Sequence, residues 1–306
     1  MKAAFIEQFG GPDVIKYGDL PDPVAGPGQV VVDVVAASVN GADWRVRAGL
    51  YAETKFPLVL GRDFSGMVAA LGAGVDDLKV GDAVFGVLEA GREGAYAEKV
   101  AITAAIVAKK SAALSHTDAA ALALTGITVL ISVETTLQLQ RGETILIQGG
   151  AGGVASVAIQ IAKHIGARVI TTTSAANVDY VRGLGADQVI DYNAQNFTRV
   201  VSGCDAVFDT VGGDVAKQSF AVLKPGGRAA FIASGAEPPK PDRGDVTALR
   251  PPVPRSRKAM ERIAELYVAG AVKPPEVKLY KLSQAAEAHR LSQARHFRGK
   301  LVFQVR

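Results

Sequence analysis

The stretch that most constrains this chain runs from Arg141 to Ile165, RGETILIQGGAGGVASVAIQIAKHI. Glu143 to Gln148 contains the unbroken apolar run Ile145-Leu146-Ile147, which reads as a short strand buried on both faces. Gly149, Gly150, Gly152 and Gly153 follow at once. From Val154 the spacing turns helical, with Val154, Val157, Ile161 and Ile165 on one stripe. Strand, glycine turn and helix in that order is the setting in which a glycine motif carries information. Gly150-x-Gly152-x-x-Ala155 fits the dinucleotide fingerprint, whose last position accepts alanine. The glycines permit a tight turn and let the backbone approach a pyrophosphate. That group then sits at the helix N-terminus, where free N–H groups and the dipole favour negative charge. A glycine-rich turn with no ligand is the alternative reading.

Alternation of strand and helix continues to about residue 233. Strands are predicted at Arg168–Thr172, Gln188–Ile190, Asp205–Asp209 and Arg228–Ile232. That repetition predicts a parallel sheet with helices on both faces. Residues 1 to about 110 read differently. Short β-rich runs at Met1–Ile6, Val30–Val35, Phe64–Leu71, Ala83–Val87 and Ala95–Val100 are punctuated by glycine and proline, which suggests a small barrel. Asp43 to Leu50 reads as a short helix. A helix capped by Ser115 or Thr117 is expected to end near Leu124, with a second starting near Gly126. Ala236–Pro254 is Pro-rich and reads as an irregular loop, followed by helices at Arg257–Ala269 and Ser283–Leu291. The final strand, Lys300–Val305, returns most simply to the barrel. Residues 1–112 and 257–306 are thus assigned to the barrel domain, and 113–256 to the dinucleotide-binding domain.

With 306 residues the chain has room for a core in each domain. No apolar run is read as long enough to span a bilayer, and the N-terminus lacks the features of a signal peptide, so a cytoplasmic protein is expected. A single cysteine, Cys204, excludes an intrachain disulfide and a cysteine-based structural zinc site. The net charge of +4 is too small to argue for nucleic acid. The basic run Arg250–Arg262 reads as a solvated loop and helix start.

For NAD, a carboxylate is expected about twenty residues after the glycines, on the ribose 2′-OH. Here that region is Thr171-Thr172-Thr173-Ser174, with Asn177 nearby and no acid. An acid would repel a 2′-phosphate, so NADPH is favoured over NADH. Ser174, Asn177 and Tyr192 can donate hydrogen bonds to phosphate oxygens.

Taken together, these pieces resemble the zinc-independent quinone oxidoreductases of the medium-chain dehydrogenase/reductase superfamily, the zeta-crystallin-like group. The resemblance rests on MKAAFIEQFGGPDVI, SVNGADWRVRAGLY, LGRDFSGMV, VGDAVFG, LALTGITV, QGGAGGVASVAIQIAK, LGADQVIDY, FDTVGG, LKPGGR and FRGKLVFQV, in that order over nearly the whole chain. It implies an α/β protein: a GroES-like β-barrel domain plus a Rossmann-type, doubly wound parallel-sheet domain. It also implies NADPH as cofactor, a dimer or tetramer, with a homodimer expected here, and reduction of quinones or of C=C bonds conjugated to a carbonyl. Residues matching Asn40, Tyr51 and Thr125 are implied to line the nicotinamide and substrate cleft. Those matching Gly150 to Val154 (Gly150, Ala151, Gly152, Gly153, Val154), Ser174, Asn177 and Tyr192 are implied to hold the diphosphate and 2′-phosphate. Val211, Ile232, Ser234, Phe297, Gly299 and Lys300 match residues along the rest of the cofactor path. Ala155 and Asn177 depart from the glycine and lysine common in the group. The zinc-dependent relatives need a cysteine and a His-Glu pair; Arg62-Asp63 stands in the place of that pair, so no metal is expected.

Without a Lewis acid the acceptor must already be activated, as a quinone or an enone is. Donors from Asn40, Tyr51 or Thr125 would stabilise the charge that develops on its oxygen. Each has a structural alternative. Asn40 would cap the following helix, Tyr51 would be a surface aromatic, Thr125 would satisfy backbone groups, and Lys300 would be a strand-end charge. Asp63 is read as pairing with Arg45, Arg47 or Arg62. Two other functions stay open: a 2-alkenal or enoyl-thioester reductase, and an NADPH-binding sensor or structural protein.

Overall fold

The computed structural model describes residues 1–50, 55–233 and 237–306; Tyr51 and Ser234 lie outside them. The chain divides into two compact units. One comprises Met1–Ile127, Pro254–Val268 and Pro274–Arg306, the other Thr128–Val253 and Ala269–Lys273.

The first unit begins with strands β1 (Lys2–Ile6), β2 (Lys16–Asp19), β3 (Gln29–Val39), β4 (Leu58–Val59), β5 (Asp63–Leu71), β6 (Ala83–Val87), β7 (Lys99–Thr103) and β8 (Val107–Lys109), with helices α1 (Asp43–Arg47) and α2 (His116–Leu130). Long β3 pairs antiparallel with both β5 and β7. Its alternate residues Val30, Val32 and Val34 are fully buried and join Phe64, Val84 and Ile102 in the barrel core. The strand expected at Ala95–Val100 is displaced: Ala97 makes only an isolated bridge to Ala3, and regular pairing starts at Lys99.

Helix α2 corrects the expected break at Gly126. It runs through without interruption, capped at its start by Ser115, whose hydroxyl accepts from the Asp118 N–H at 3.0 Å. Gly126 is a contact point, since a Cβ there would lie 2.6 Å from Ile263 Cγ1. The first turns of α2 belong to the barrel, with Ala120 and Ala121 packed on Ala36 and Val302. This is why the first division falls at 127/128 rather than 112/113; the second falls at 253/254 rather than 256/257. Residues His116–Thr136 also have the length and mean hydropathy, 1.6, of a membrane-crossing helix, contrary to the sequence reading, and 72% of that stretch is buried inside the protein.

The second unit is built on β9 (Thr144–Gln148), β10 (Arg168–Thr173), β11 (Gln188–Asp191), β12 (Cys204–Asp209), β13 (Leu223–Phe231) and β14 (Thr247–Leu249). Between them lie α3 (Gly153–Ile165), α4 (Val178–Gly183), α5 (Phe197–Val200) and α6 (Gly213–Gln218). The strands are all parallel, in the order β11-β10-β9-β12-β13-β14. That is the Rossmann order, with its direction switch between β9 and β12. β14 lies inside the segment read as irregular. It is three residues long and bounded by proline and charge, too short to show a period.

The chain then returns to the first unit through α7 (Arg257–Val268), β15 (Val277–Lys281), α8 (Ala285–Ala294) and β16 (Lys300–Gln304). β16 pairs antiparallel with β3, as expected, and β15, which the sequence reading lacked, pairs parallel with β16.

Candidate functional site: a glycine turn and a buried polar cluster

In the second unit, β9 delivers the chain into the glycine turn at the switch point, where open α/β sheets bind ligands. Gly149 has φ +78°, which favours glycine. A Cβ on Gly150 would fall 2.3 Å from Thr171 Oγ1, so only glycine lets the turn lie against β10. Helix α3 starts at Gly153 with Gly152 as its N-cap, and no side chain among the described residues caps it. The N–H groups of its first turn are therefore available to an anion. Gly150, Ala151, Gly152, Gly153 and Val154 form this segment.

The polar residues expected at the ribose end come together. Ser174 follows β10, and Asn177 Nδ2 donates to Ser174 Oγ at 3.1 Å. Tyr192, after β11, is exposed, and its N–H bonds Thr173 O at 3.1 Å. Val211 follows β12 and faces the turn: a Cβ on Gly149 would lie 3.0 Å from Val211 Cγ2. Ile232 continues from β13, its N–H on Asp209 O at 3.2 Å.

In the barrel unit, Asn40, Lys300 and the neighbour of Thr125 converge on Asp63. Lys300 is buried and donates from Nζ to Val39 O at 2.9 Å and Asn40 Oδ1 at 2.7 Å. Asn40 Nδ2 donates to Asp63 Oδ1 at 2.8 Å, and Ser38 Oγ donates to Asp63 Oδ2 at 2.9 Å. The Leu124 N–H of α2 reaches the same Oδ2 at 3.4 Å. Burial pushes the Asp63 carboxyl up, opposed by the Lys300 charge, and burial pushes the Lys300 ammonium down.

This geometry corrects two structural readings. Asp63 pairs with Ser38 and Asn40, not with an arginine. Arg62 instead bonds Glu93 at 2.7 Å, and Arg47 bonds Gly10 O, His289 and Gln293. Nor does the Asn40 side chain cap α1; Asp43 Oδ2 accepts the Asn40 N–H at 2.9 Å and the Tyr96 hydroxyl at 2.6 Å. Thr125 is 1% exposed, and its hydroxyl has no hydrogen-bond partner among the described residues, so it satisfies no backbone group there. Phe297 is partly buried against the barrel core, and a Cβ on Gly299 would strike Glu276 O at 1.9 Å.

Residues 26–115 match the family model described as alcohol dehydrogenase GroES-like domain, and residues 184–303 match that described as zinc-binding dehydrogenase. The quinone oxidoreductase of Pseudomonas aeruginosa is 30% identical over 96% of both chains. The NADPH-dependent alkenal/one oxidoreductase, chloroplastic, of Arabidopsis thaliana is 32% identical over 99% of this chain and 79% of its own length. The solved quinone oxidoreductase of Coxiella burnetii superposes with a TM-score of 0.90 at 34% identity, covering 100% of this chain and 99% of its own. The chain belongs to the quinone oxidoreductases of the medium-chain dehydrogenase/reductase superfamily.

Sequence reasoning missed two buried acids of the barrel unit, Asp43 and Glu93. Glu93, at the far side of Arg62, is raised to about 7 by burial and by Asp43, against the pull of Arg62. The available signal was a charged pair, Arg62-Asp63, entering an otherwise apolar strand.

Proposed function

We propose that the protein reduces quinones, or other acceptors conjugated to a carbonyl, with NADPH and without zinc. The observation that carries this reading is the Thr125 hydroxyl, buried and without a hydrogen-bond partner among the described residues, one residue after the Leu124 N–H that reaches Asp63 of the Asn40–Asp63–Lys300 cluster. A buried hydroxyl left unbonded costs about 1–3 kcal/mol unless a ligand completes it. The reading without zinc is supported by the bonds that Arg62 and Asp63 make to Glu93, Ser38 and Asn40.

The glycine turn fits a dinucleotide, because Gly150 lets the turn lie against β10 and no described side chain caps the α3 N-terminus. Gly150 to Val154 would hold the diphosphate. Ser174, Asn177 and Tyr192 would hold the 2′-phosphate, and Val211 and Ile232 would line the remaining length in this unit. When bound, the nicotinamide supplies a hydride to the acceptor. Thr125 donates to the acceptor oxygen as negative charge develops there, with Tyr51 as a second donor. Asn40 would present a polar wall held by its bonds to Asp63 and Lys300. Lys300, which donates to Val39 O and Asn40 Oδ1, has a third N–H and would be a cofactor contact. A cytoplasmic homodimer completes the reading.

The Arabidopsis relative's name favours enals and enones as a second acceptor class. The test is loss of NADPH absorbance with a panel of quinones, enals and enones, repeated after chelator treatment and with NADH. Acceptor-dependent oxidation that survives chelation is expected. NADPH binding with no acceleration by any acceptor would instead favour the sensor or structural reading.

A further inference from the structure

Strand β9 ends on a buried glutamine that the proposed function does not use. Ile145, Leu146 and Ile147 are fully buried and apolar, as a central parallel strand requires, yet Gln148 after them is only 1% exposed. Its amide is bonded on both sides. Nε2 donates to Ser219 Oγ at 3.1 Å, and Oε1 accepts the Thr172 hydroxyl at 2.6 Å. The Ser219 hydrogen is committed to Val215 O at 2.8 Å. Ser219 can then only accept from Gln148, which fixes the amide with its nitrogen toward Ser219 and its oxygen toward Thr172. The Thr172 hydrogen is consumed in turn, leaving its oxygen free to accept. What it accepts is the N–H of Gly149, at 3.2 Å. The Gly150 N–H bonds Thr172 O at 2.8 Å, and the Gly152 N–H returns to Gly149 O at 2.9 Å. A single sense of donation thus runs from the Gly149 N–H through Thr172 to Gln148, and from Gln148 through Ser219 to Val215.

We infer that Gln148 is a positioning residue for the diphosphate-binding turn and acts through Thr172. The inference rests on the dinucleotide reading above. An apolar side chain of the same size at 148 would keep the packing. The Thr172 hydroxyl would then be free to rotate and present its hydrogen to the Gly149 N–H, donor against donor. The turn that aims the α3 N–H groups at a diphosphate would lose its support from behind. A fully satisfied polar chain in a sheet core specifies one arrangement where apolar packing alone would permit several.

The test compares two ligands by calorimetry: NADPH, which has a diphosphate, and adenosine 2′-monophosphate, which has none. The variants are Gln148→Met, Thr172→Val and Thr172→Ser, each checked for the wild-type melting profile. Gln148→Met and Thr172→Val are expected to bind NADPH about tenfold more weakly, the scale of one hydrogen bond. Adenosine 2′-monophosphate should bind all of them as it binds the wild type, and Thr172→Ser should restore NADPH binding. The inference is overturned by unchanged NADPH affinity in Gln148→Met, or by equal losses for both ligands. If the wild type itself does not bind NADPH, the dinucleotide reading fails, and the inference with it.

Discussion

The ammonium of Lys300 donates to Asn40 Oδ1 at 2.7 Å. The same amide gives its nitrogen to Asp63, so Asn40 is held between a buried cation and a buried anion. Lys300→Met leaves Asp63 as an uncompensated buried charge and should cost about 3–5 kcal/mol of stability. Lys300→Met combined with Asp63→Asn should recover most of the melting temperature. Turnover should stay low in both, because Asn40 loses the charges that orient it. Recovery of both properties in the double variant would make the pair purely structural.

Thr125→Val replaces a buried, unpartnered hydroxyl with a methyl group of the same shape. The melting temperature should hold or rise, since an unsatisfied polar group is removed. If the hydroxyl serves the acceptor, kcat/KM falls about tenfold, which corresponds to about 1.4 kcal/mol. Steady-state kinetics alongside calorimetry would separate the two effects; full activity in the valine variant would remove Thr125 from the mechanism.

Glu93 gives the fold a specific pH dependence. Its folded value of about 7 lies above the ordinary 4.5, so the native state holds the proton more tightly than the unfolded chain does. That contribution is fully present below pH 4.5 and is lost as the pH rises to 7. Glu93→Gln, which can still accept from Arg62, should therefore melt close to the wild type at low pH and above it beyond neutrality. A melting difference that does not change with pH would show that Glu93 does not titrate in this range.

Ser174→Asp places a carboxylate where Ser174 and Asn177 now meet at 3.1 Å. It should weaken NADPH by about tenfold or more through repulsion of the 2′-phosphate, and leave NADH equal or tighter. Titration of both nucleotides decides this. An unchanged preference would mean that the 2′-phosphate is held elsewhere.

Gly126→Ala tests the packing that keeps α2 continuous. Alanine favours a helix over glycine by about 1 kcal/mol. The new Cβ would nevertheless meet Ile263 Cγ1 at 2.6 Å, and overpacking of this kind costs about 1–3 kcal/mol. The melting temperature should fall; a rise would show that Ile263 moves aside at little cost.

By itself the sequence determined the dinucleotide half of this protein. Strand, glycine turn and helix are local features, set by the residues of β9 and α3 and by the conformations that Gly149 and Gly150 permit. The positions of Ser174, Asn177 and Tyr192 after their strands were legible for the same reason, since the period of each strand could be read. Tertiary structure alone decided the rest. Gly126 reads as a break until Ile263 is placed against it, and β14 and β15 take their identity from neighbouring strands rather than from their own short pattern. The partners of Asp63 come from positions 38, 40, 124 and 300, which no spacing rule connects. A buried charge is satisfied by whichever groups the folded chain brings within about 3 Å, and that depends on packing between distant segments.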